Sequence, residues 1–184
     1  AEKGIDIERR AVDIMREEHK TAEMSRLNPF QRVPFLVLDD GQVISESIAI
    51  CRYLEELHPE PQLFGRTMVE RALVEMWQRR IELELLFPIA HTFRHSHPAM
   101  AHLENPQISQ WSEVNRDRAF ATMALLDKEL SQRPFIAGDA YSVADITALC
   151  SIDFMRVAGM RIDEDHKNLK RWHDEVSARP GSVR

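Results

Sequence analysis

Asn28-Pro29-Phe30-Gln31-Arg32-Val33-Pro34-Phe35-Leu36, continued by Asp39-Asp40-Gly41 and by Glu46-Ser47-Ile48-Ala49-Ile50, is the stretch from which the rest of this 184-residue chain can be read. Thr21 to Leu27 reads as a short helix, stopped by Asn28-Pro29. Val33 to Leu38 is an apolar run of strand length, expected to be buried on both faces. Asp39-Asp40-Gly41 signals a hairpin, and Gln42 to Ile44 returns as its second strand. Ser45 or Glu46 then starts a helix with an apolar stripe of Ile50, Tyr53, Leu54 and Leu57. The Val33-Pro34 step is a candidate cis bond, since X-Pro is the one step that takes cis cheaply. A cis bond there would turn the Val33 amide and carbonyl outward, free to pair with an extended peptide. The helix start behind it offers unpaired N–H groups to an anion. Together these predict a socket for a small peptide carrying carboxylates.

Working outward, Ile5 to Val12 reads as a strand of mixed character, which makes the first 57 residues a βαββα unit. His58-Pro59-Glu60-Pro61-Gln62-Leu63-Phe64-Gly65 can continue no helix and marks a boundary. Beyond it the periodicity is helical almost to the end. Met68, Val69, Ala72, Leu73 and Met76 form one stripe of a long helix that runs on through Trp77, Ile81, Leu85 and Leu86 towards His95. A second helix is predicted from about Ser109 to Leu130, with Trp111, Val114, Ala121, Ala124 and Leu125 inward. A third begins at Ser142, where Ser142-Val143-Ala144-Asp145 is a capping box. A fourth holds Leu169, Trp172 and Val176.

Composition narrows the function classes. A formal net charge of -6 argues against a nucleic-acid partner, whose phosphates demand a basic surface. No apolar run approaches membrane-spanning length. The two cysteines, Cys51 and Cys150, are far apart and form no CxxC pair, which suits a reducing compartment and buried helix positions. Of the eight histidines, His91, His95, His97 and His102 cluster near the end of the first long helix. They lack an HExxH pattern or a cysteine companion, so a packed or solvated cluster is expected rather than a metal site.

The Val33-Pro34 step followed by Glu46-Ser47 resembles the glutathione-binding half of the soluble glutathione transferases, of a bacterial theta-like or related class. Gly4-Ile5-Asp6-Ile7-Glu8-Arg9-Arg10 is similar to the end of that family's first helix and its second strand. Pro134-Phe135-Ile136-Ala137-Gly138-Asp139 with Ser142-Val143-Ala144-Asp145 resembles the loop and capping box of its helical domain. Leu169-Lys170-Arg171-Trp172 and Ala178-Arg179-Pro180 resemble its last helix. The resemblance implies a thioredoxin-like α/β domain over 1–57, lacking the first strand and most of the first helix, then a linker over 58–65. An all-helical domain over 66–184 would contribute the site for a hydrophobic co-substrate.

The resemblance also implies an enzyme that binds glutathione as co-substrate, without a metal, and conjugates its thiolate to an electrophile. Glu46 and Ser47 would hold the γ-glutamyl end, a carboxylate meeting the ammonium and a hydroxyl meeting the carboxylate. The Val33 backbone would pair with the cysteinyl part. His19, Lys20 and Arg32 would face the glycine carboxylate, Arg32 standing where Gln or Lys is more familiar. The thiol-activating Tyr, Ser or Cys is expected upstream of Ala1. A cytoplasmic homodimer active in detoxification is implied, with the electrophile lying near Trp77, Phe87 and Phe154. Two other functions fit the same pattern: a glutathione-dependent thiol-disulfide oxidoreductase, and a non-catalytic module that keeps the socket.

Overall fold

The computed structural model describes residues 1–182; the last two residues of the predicted helical domain lie outside the described residues. The chain divides into two compact units, Ala1–Gln62 and Leu63–Arg184. In the first, Thr21 caps helix α1 (Ala22–Leu27) by accepting the Met24 N–H. Strands β1 (Phe35–Val37) and β2 (Val43–Ser45) form a two-stranded antiparallel sheet in the register Phe35↔Ser45, Leu36↔Ile44, Val37↔Val43. Gly41, at φ +86°, makes the turn, with its N–H on the Leu38 carbonyl. Helix α2 (Ser47–Leu57) follows.

Two expectations fail here. Ile5 to Val12 is not a strand, because no neighbour supplies it with a hydrogen-bonded ladder. Phe35 and Leu36 are only half-buried and Val37 is exposed, so β1 is not covered on both faces. Between these segments lies a cleft of about 960 Å³, lined among others by Ile5, Ile7, Val12, Leu36, Leu54 and Leu57. The unit is held by a polar tie instead. Lys3 Nζ meets Glu55 Oε2 at 2.7 Å, with side chains 8% and 9% exposed. The same ammonium donates to the carbonyls of His58 (2.7 Å) and Pro61 (2.8 Å), at the negative end of α2.

In the second unit, α3 (Met68–Ile81) opens on a Thr67/Glu70 capping box, and Glu70 Oε2 also takes the Arg66 N–H at 2.7 Å. Gly65 is required before it: at φ +91°, a Cβ would stand 2.7 Å from the Arg71 nitrogen. After Ile81 the helix widens into a π-helical turn, Glu82–Leu86, and resumes as α4 (Phe87–Ser96). Pro88 explains part of this. It has no N–H for the Glu84 carbonyl four residues back. Thr122 supplies the missing donor, its Oγ1 lying 2.8 Å from that carbonyl.

Helix α5 runs Ser109–Leu130 as predicted, but on the other face. Trp111, Val114, Ala121, Ala124 and Leu125 are exposed, while Ser112, Asn115, Ala119, Met123, Leu126 and Leu130 are buried. The helix is apolar on two sides, and periodicity alone cannot rank them. The buried polar residues are satisfied by backbone: Ser112 Oγ on the Thr92 carbonyl (3.0 Å) and Asn115 Nδ2 on the Trp111 carbonyl (2.8 Å). The first part of the α3 stripe is misassigned in the same way, Met68 (87%) and Val69 (69%) facing outward, whereas Trp77, Ile81 and Leu85 of its continuation are buried, with Val74 and Gln78 beside them.

Helices α6 (Val143–Phe154) and α7 (Lys167–Ser177) complete the unit. Trp77, Ile81, Leu85, Ile89, Met123, Leu126, Ala148, Ile152, Leu169, Trp172 and Val176 belong to one core. Asp145 does more than close its capping box. It accepts the Ile136 N–H (2.8 Å), the Trp172 Nε1–H (2.9 Å), and both the N–H (2.9 Å) and hydroxyl (3.0 Å) of Ser142. Burial pushes its carboxyl above the ordinary range, and these hydrogen bonds pull against it. Asp127 caps α7 from a distance, its Oδ1 taking the N–H groups of Asn168 (2.8 Å) and Leu169 (2.9 Å). Among the described residues no helix is long and apolar enough to cross a membrane.

Candidate functional site

The site is built around Asn28, which is 2% exposed. Its Oδ1 accepts the Phe30 N–H (3.2 Å), its carbonyl the Gln31 N–H (2.9 Å), and its Nδ2 donates to the Arg32 carbonyl (2.8 Å). An asparagine side chain that bonds the backbone ahead of it is the Asx-turn device. It holds Gln31 at φ +52° and delivers the chain into Val33-Pro34, whose peptide bond is cis. Asn28-Pro29 thus both stops α1 and organises the turn, with the asparagine side chain as its tie.

The sheet register then does the positioning. Because Phe35 pairs with Ser45, Val33-Pro34 enters β1 at the end where Glu46-Ser47 leaves β2. Glu46 is the N-cap of α2, at φ 68° and ψ 120°, and its side chain caps none of the helix amides. A non-glycine residue held at positive φ costs on the order of 1–3 kcal/mol, and such strain collects at functional sites. Its carbonyl takes the Ile50 N–H at 3.0 Å, so α2 proceeds normally behind it. Glu46 and Ser47 are both exposed, and the first turn of α2 carries no acidic side chain. This corner therefore presents a carboxylate, a hydroxyl and the positive end of a helix, beside the backbone of Val33.

The other predicted residues are placed differently. Arg32 is exposed and adjoins Val33 in the chain. His19 and Lys20 sit in a 3-10 turn, Glu18–Lys20. Lys20 is engaged by Glu17, and the buried Nδ1 of His19 has no hydrogen-bond partner. Of the six predicted residues, only Val33 lines the large cleft of this unit. The structure thus joins Val33, Glu46 and Ser47 by register and leaves His19 and Lys20 in a separate turn.

In the helical unit, Trp77 is a core residue, 5% exposed, with the guanidinium groups of Arg80 and Arg133 at 4.9 and 4.4 Å from its ring. Phe87 is 46% exposed, and Phe154 meets Phe93 edge-on at 5.5 Å. Cys51 is half-buried on α2, whereas Cys150 is exposed, contrary to expectation, because it falls on the side of α6 away from Ala148 and Ile152. Among the described residues no three or more His, Cys, Asp or Glu side chains are grouped to hold a metal ion.

The chain's relatives give its family. Residues 1–57 match the family model for the glutathione S-transferase N-terminal domain, and residues 109–175 that for the C-terminal domain. Glutathione S-transferase 2 of Saccharomyces cerevisiae is 35% identical over 170 residues, covering 92% of this chain and 73% of that protein. Glutathione S-transferase F9 of Arabidopsis thaliana is 29% identical over 193 residues, covering 97% and 84%. The crystal structure of Gtt2 from S. cerevisiae superposes with a TM-score of 0.88 at 34% identity, covering 93% of this chain and 83% of that one. That of a glutathione S-transferase domain-containing protein from Marinobacter aquaeolei gives 0.90 at 35%, covering 94% and 84%. The chain belongs to the glutathione S-transferase family. It is a transferase with a thioredoxin-like N-terminal domain and a helical C-terminal domain, and glutathione is its substrate.

Proposed function

We propose that the corner formed by Val33, Glu46 and Ser47 is where glutathione is held for conjugation to a hydrophobic electrophile. The observation that carries this is the register Phe35↔Ser45 combined with the positive φ of Glu46, which sets a carboxylate and a helix start beside an extended backbone edge. Glu46 takes the ammonium of the γ-glutamyl group. Ser47 and the first amides of α2 take its carboxylate. The Val33 backbone pairs with the cysteinyl unit as an added strand would. Arg32 meets the glycine carboxylate, and His19 and Lys20 join it once Lys20 exchanges Glu17 for that carboxylate. The bound thiol reacts as its thiolate, so the transferase's task is to favour that form near neutral pH.

The helical unit supplies apolar surface for the electrophile, Phe87 being its most accessible aromatic group on α4. A second copy of the chain covers the outward stripes of α3 and α5. Met68, Val69 and Leu73 are exposed there, and a cleft of about 410 Å³ lies between Trp77, Ile81, Ala121 and Leu125. Two free thiols suit the reducing cytoplasm.

Calorimetric titration with glutathione tests the corner. Glu46→Ala and Ser47→Ala each weaken binding by about 1–3 kcal/mol, the scale of a hydrogen bond to a charged group, with unchanged far-UV circular dichroism. Unaltered affinity in both variants removes the assignment. Product analysis separates the chemistries: conjugates across an electrophile panel mark a transferase, whereas oxidised glutathione from a disulfide substrate marks an oxidoreductase.

A further inference from the structure

The end of α4 is fastened to the segment that follows it by bonds of two kinds. The first kind ignores protons: Gln107 Nε2 donates to the carbonyls of Arg94 (2.7 Å) and His97 (2.9 Å), and Arg94 Nε meets Glu104 Oε2 at 2.6 Å. The second kind depends on them. His95 Nδ1 accepts the N–H of Ile108, the N-cap residue of α5, at 3.2 Å. An imidazole nitrogen accepts only while it carries no proton, so this bond requires Nδ1 to be bare. The His95 side chain is 9% exposed, and Nε2 stands 3.7 Å from Glu104 Oε1.

From this arrangement we infer that His95 is a proton-operated latch on the segment 98–108. The neutral ring holds the Ile108 N–H. The protonated ring carries a donor on Nδ1, faces that N–H donor to donor, releases it, and turns its charge to Glu104. The first turn of α5 then loses the partner of its N-cap amide, since Ile108 has no side chain able to cap.

Glu104, from the segment itself, and Arg94 on α4, which shares that carboxylate, face the ring. His91, also on α4, stacks on His95 with centroids 5.9 Å apart and planes at 25°. Burial first, then His95, Arg94 and Arg118 of α5, hold His91 below the ordinary imidazole range, against the pull of Glu104. Phe87 and Trp111 enclose His91 edge-on at 6.5 and 6.0 Å and add no charge. His97 repeats the device locally, its Nδ1 taking the Ala99 N–H at 3.2 Å to cap the short 3-10 turn Pro98–Met100, but its ring is exposed.

Amide hydrogen exchange on the whole chain at pH 7.5 and 5.5, normalised to intrinsic rates, spans the interval in which histidines titrate. Protection from Ile108 to Ser112 is expected to fall about threefold to tenfold on acidification, the worth of one hydrogen bond. Protection from Met123 to Leu130 stays constant. His95→Asn sets an amide oxygen where Nδ1 stood and takes no proton, so the fall disappears. A fall of equal size in His95→Asn, or none in the native protein, overturns the latch. Should His95→Asn fail to hold Ile108 at pH 7.5, the ring nitrogen shifts of native His95 decide: a proton on Nε2 supports the latch, and one on Nδ1 refutes it.

Discussion

The helical unit buries its polar groups and the first unit displays them. In Leu63–Arg184, Asp145 is 0% exposed with donors of Ile136, Ser142 and Trp172 aimed at it, and Gln78, Asn115 and Ser151 are similarly enclosed. In Ala1–Gln62 the buried residues are Met24, Asn28 and Glu55, and two of those three are polar. One unit is stabilised by a contiguous apolar core, the other by a hairpin, a strained N-cap and the Lys3–Glu55 pair. The lesson is about where binding chemistry can stand. Carboxylates spent on holding helices together are out of reach of a ligand, while Glu46 and Ser47 cap and brace little and remain available. Local rules of backbone comfort are broken at that corner, as they are where function competes with folding.

The contrast is most exposed to failure at Asp145. Asp145→Ala leaves buried donors from three stretches of chain unpaired and should cost about 3–5 kcal/mol. A urea titration followed by Trp172 fluorescence measures it; a loss below about 1 kcal/mol would mean the carboxylate is not the tie described. Glu46→Ala should do the opposite, weakening glutathione by about 1–3 kcal/mol with little change in stability. Glu46→Gly sharpens this further: relief of the positive φ should raise stability by about 1 kcal/mol while binding is still lost. Equal losses of stability and affinity would assign Glu46 to the scaffold.

Asp127 brings pH into the comparison. Burial raises its carboxyl, but the N–H groups of Leu169 and Asn168 more than offset that and hold it below the ordinary range. A lowered folded-state value stabilises above the unfolded aspartate pKa of about 3.9 and is lost as pH falls through the folded value. Asp127→Ala should therefore cost about 1 kcal/mol at pH 7, as a lost cap does, and its gap to the native protein should narrow progressively once pH falls below about 4. A gap that widens on acidification would remove the capping role. The smallest effect belongs to Cys150, exposed on α6, where Cys150→Ser should change stability by less than about 0.5 kcal/mol and leave conjugation intact.

Much of this was legible in the residues because it rests on local chemistry. Val-Pro ahead of an apolar run, Asp-Asp-Gly, and Ser-Val-Ala-Asp each specify a few torsions and partners, and each is found where expected. The faces of α3 and α5 were not legible. Both helices carry two apolar stripes, and the choice between them depends on neighbours that the stripe itself does not name. Ile5–Val12 failed for a related reason, since a strand exists only with a partner. Residue types marked the binding corner, but the register that joins Val33 to Ser47 is a tertiary fact. The distant reach of Asp127 to α7 spans 41 residues and leaves no local trace.

The carboxylate of Asp145 also has a consequence in time. Its donors come from positions 136, 142 and 172, so its shell is complete only when the last of these arrives. Trp172 fills the centre of the core and supplies that last bond together. Until the helix that carries Trp172 is in place, that carboxylate lacks one of its donors and the core lacks one of its largest side chains. The helical domain closes as a unit, on α7, the last α-helix of the described residues.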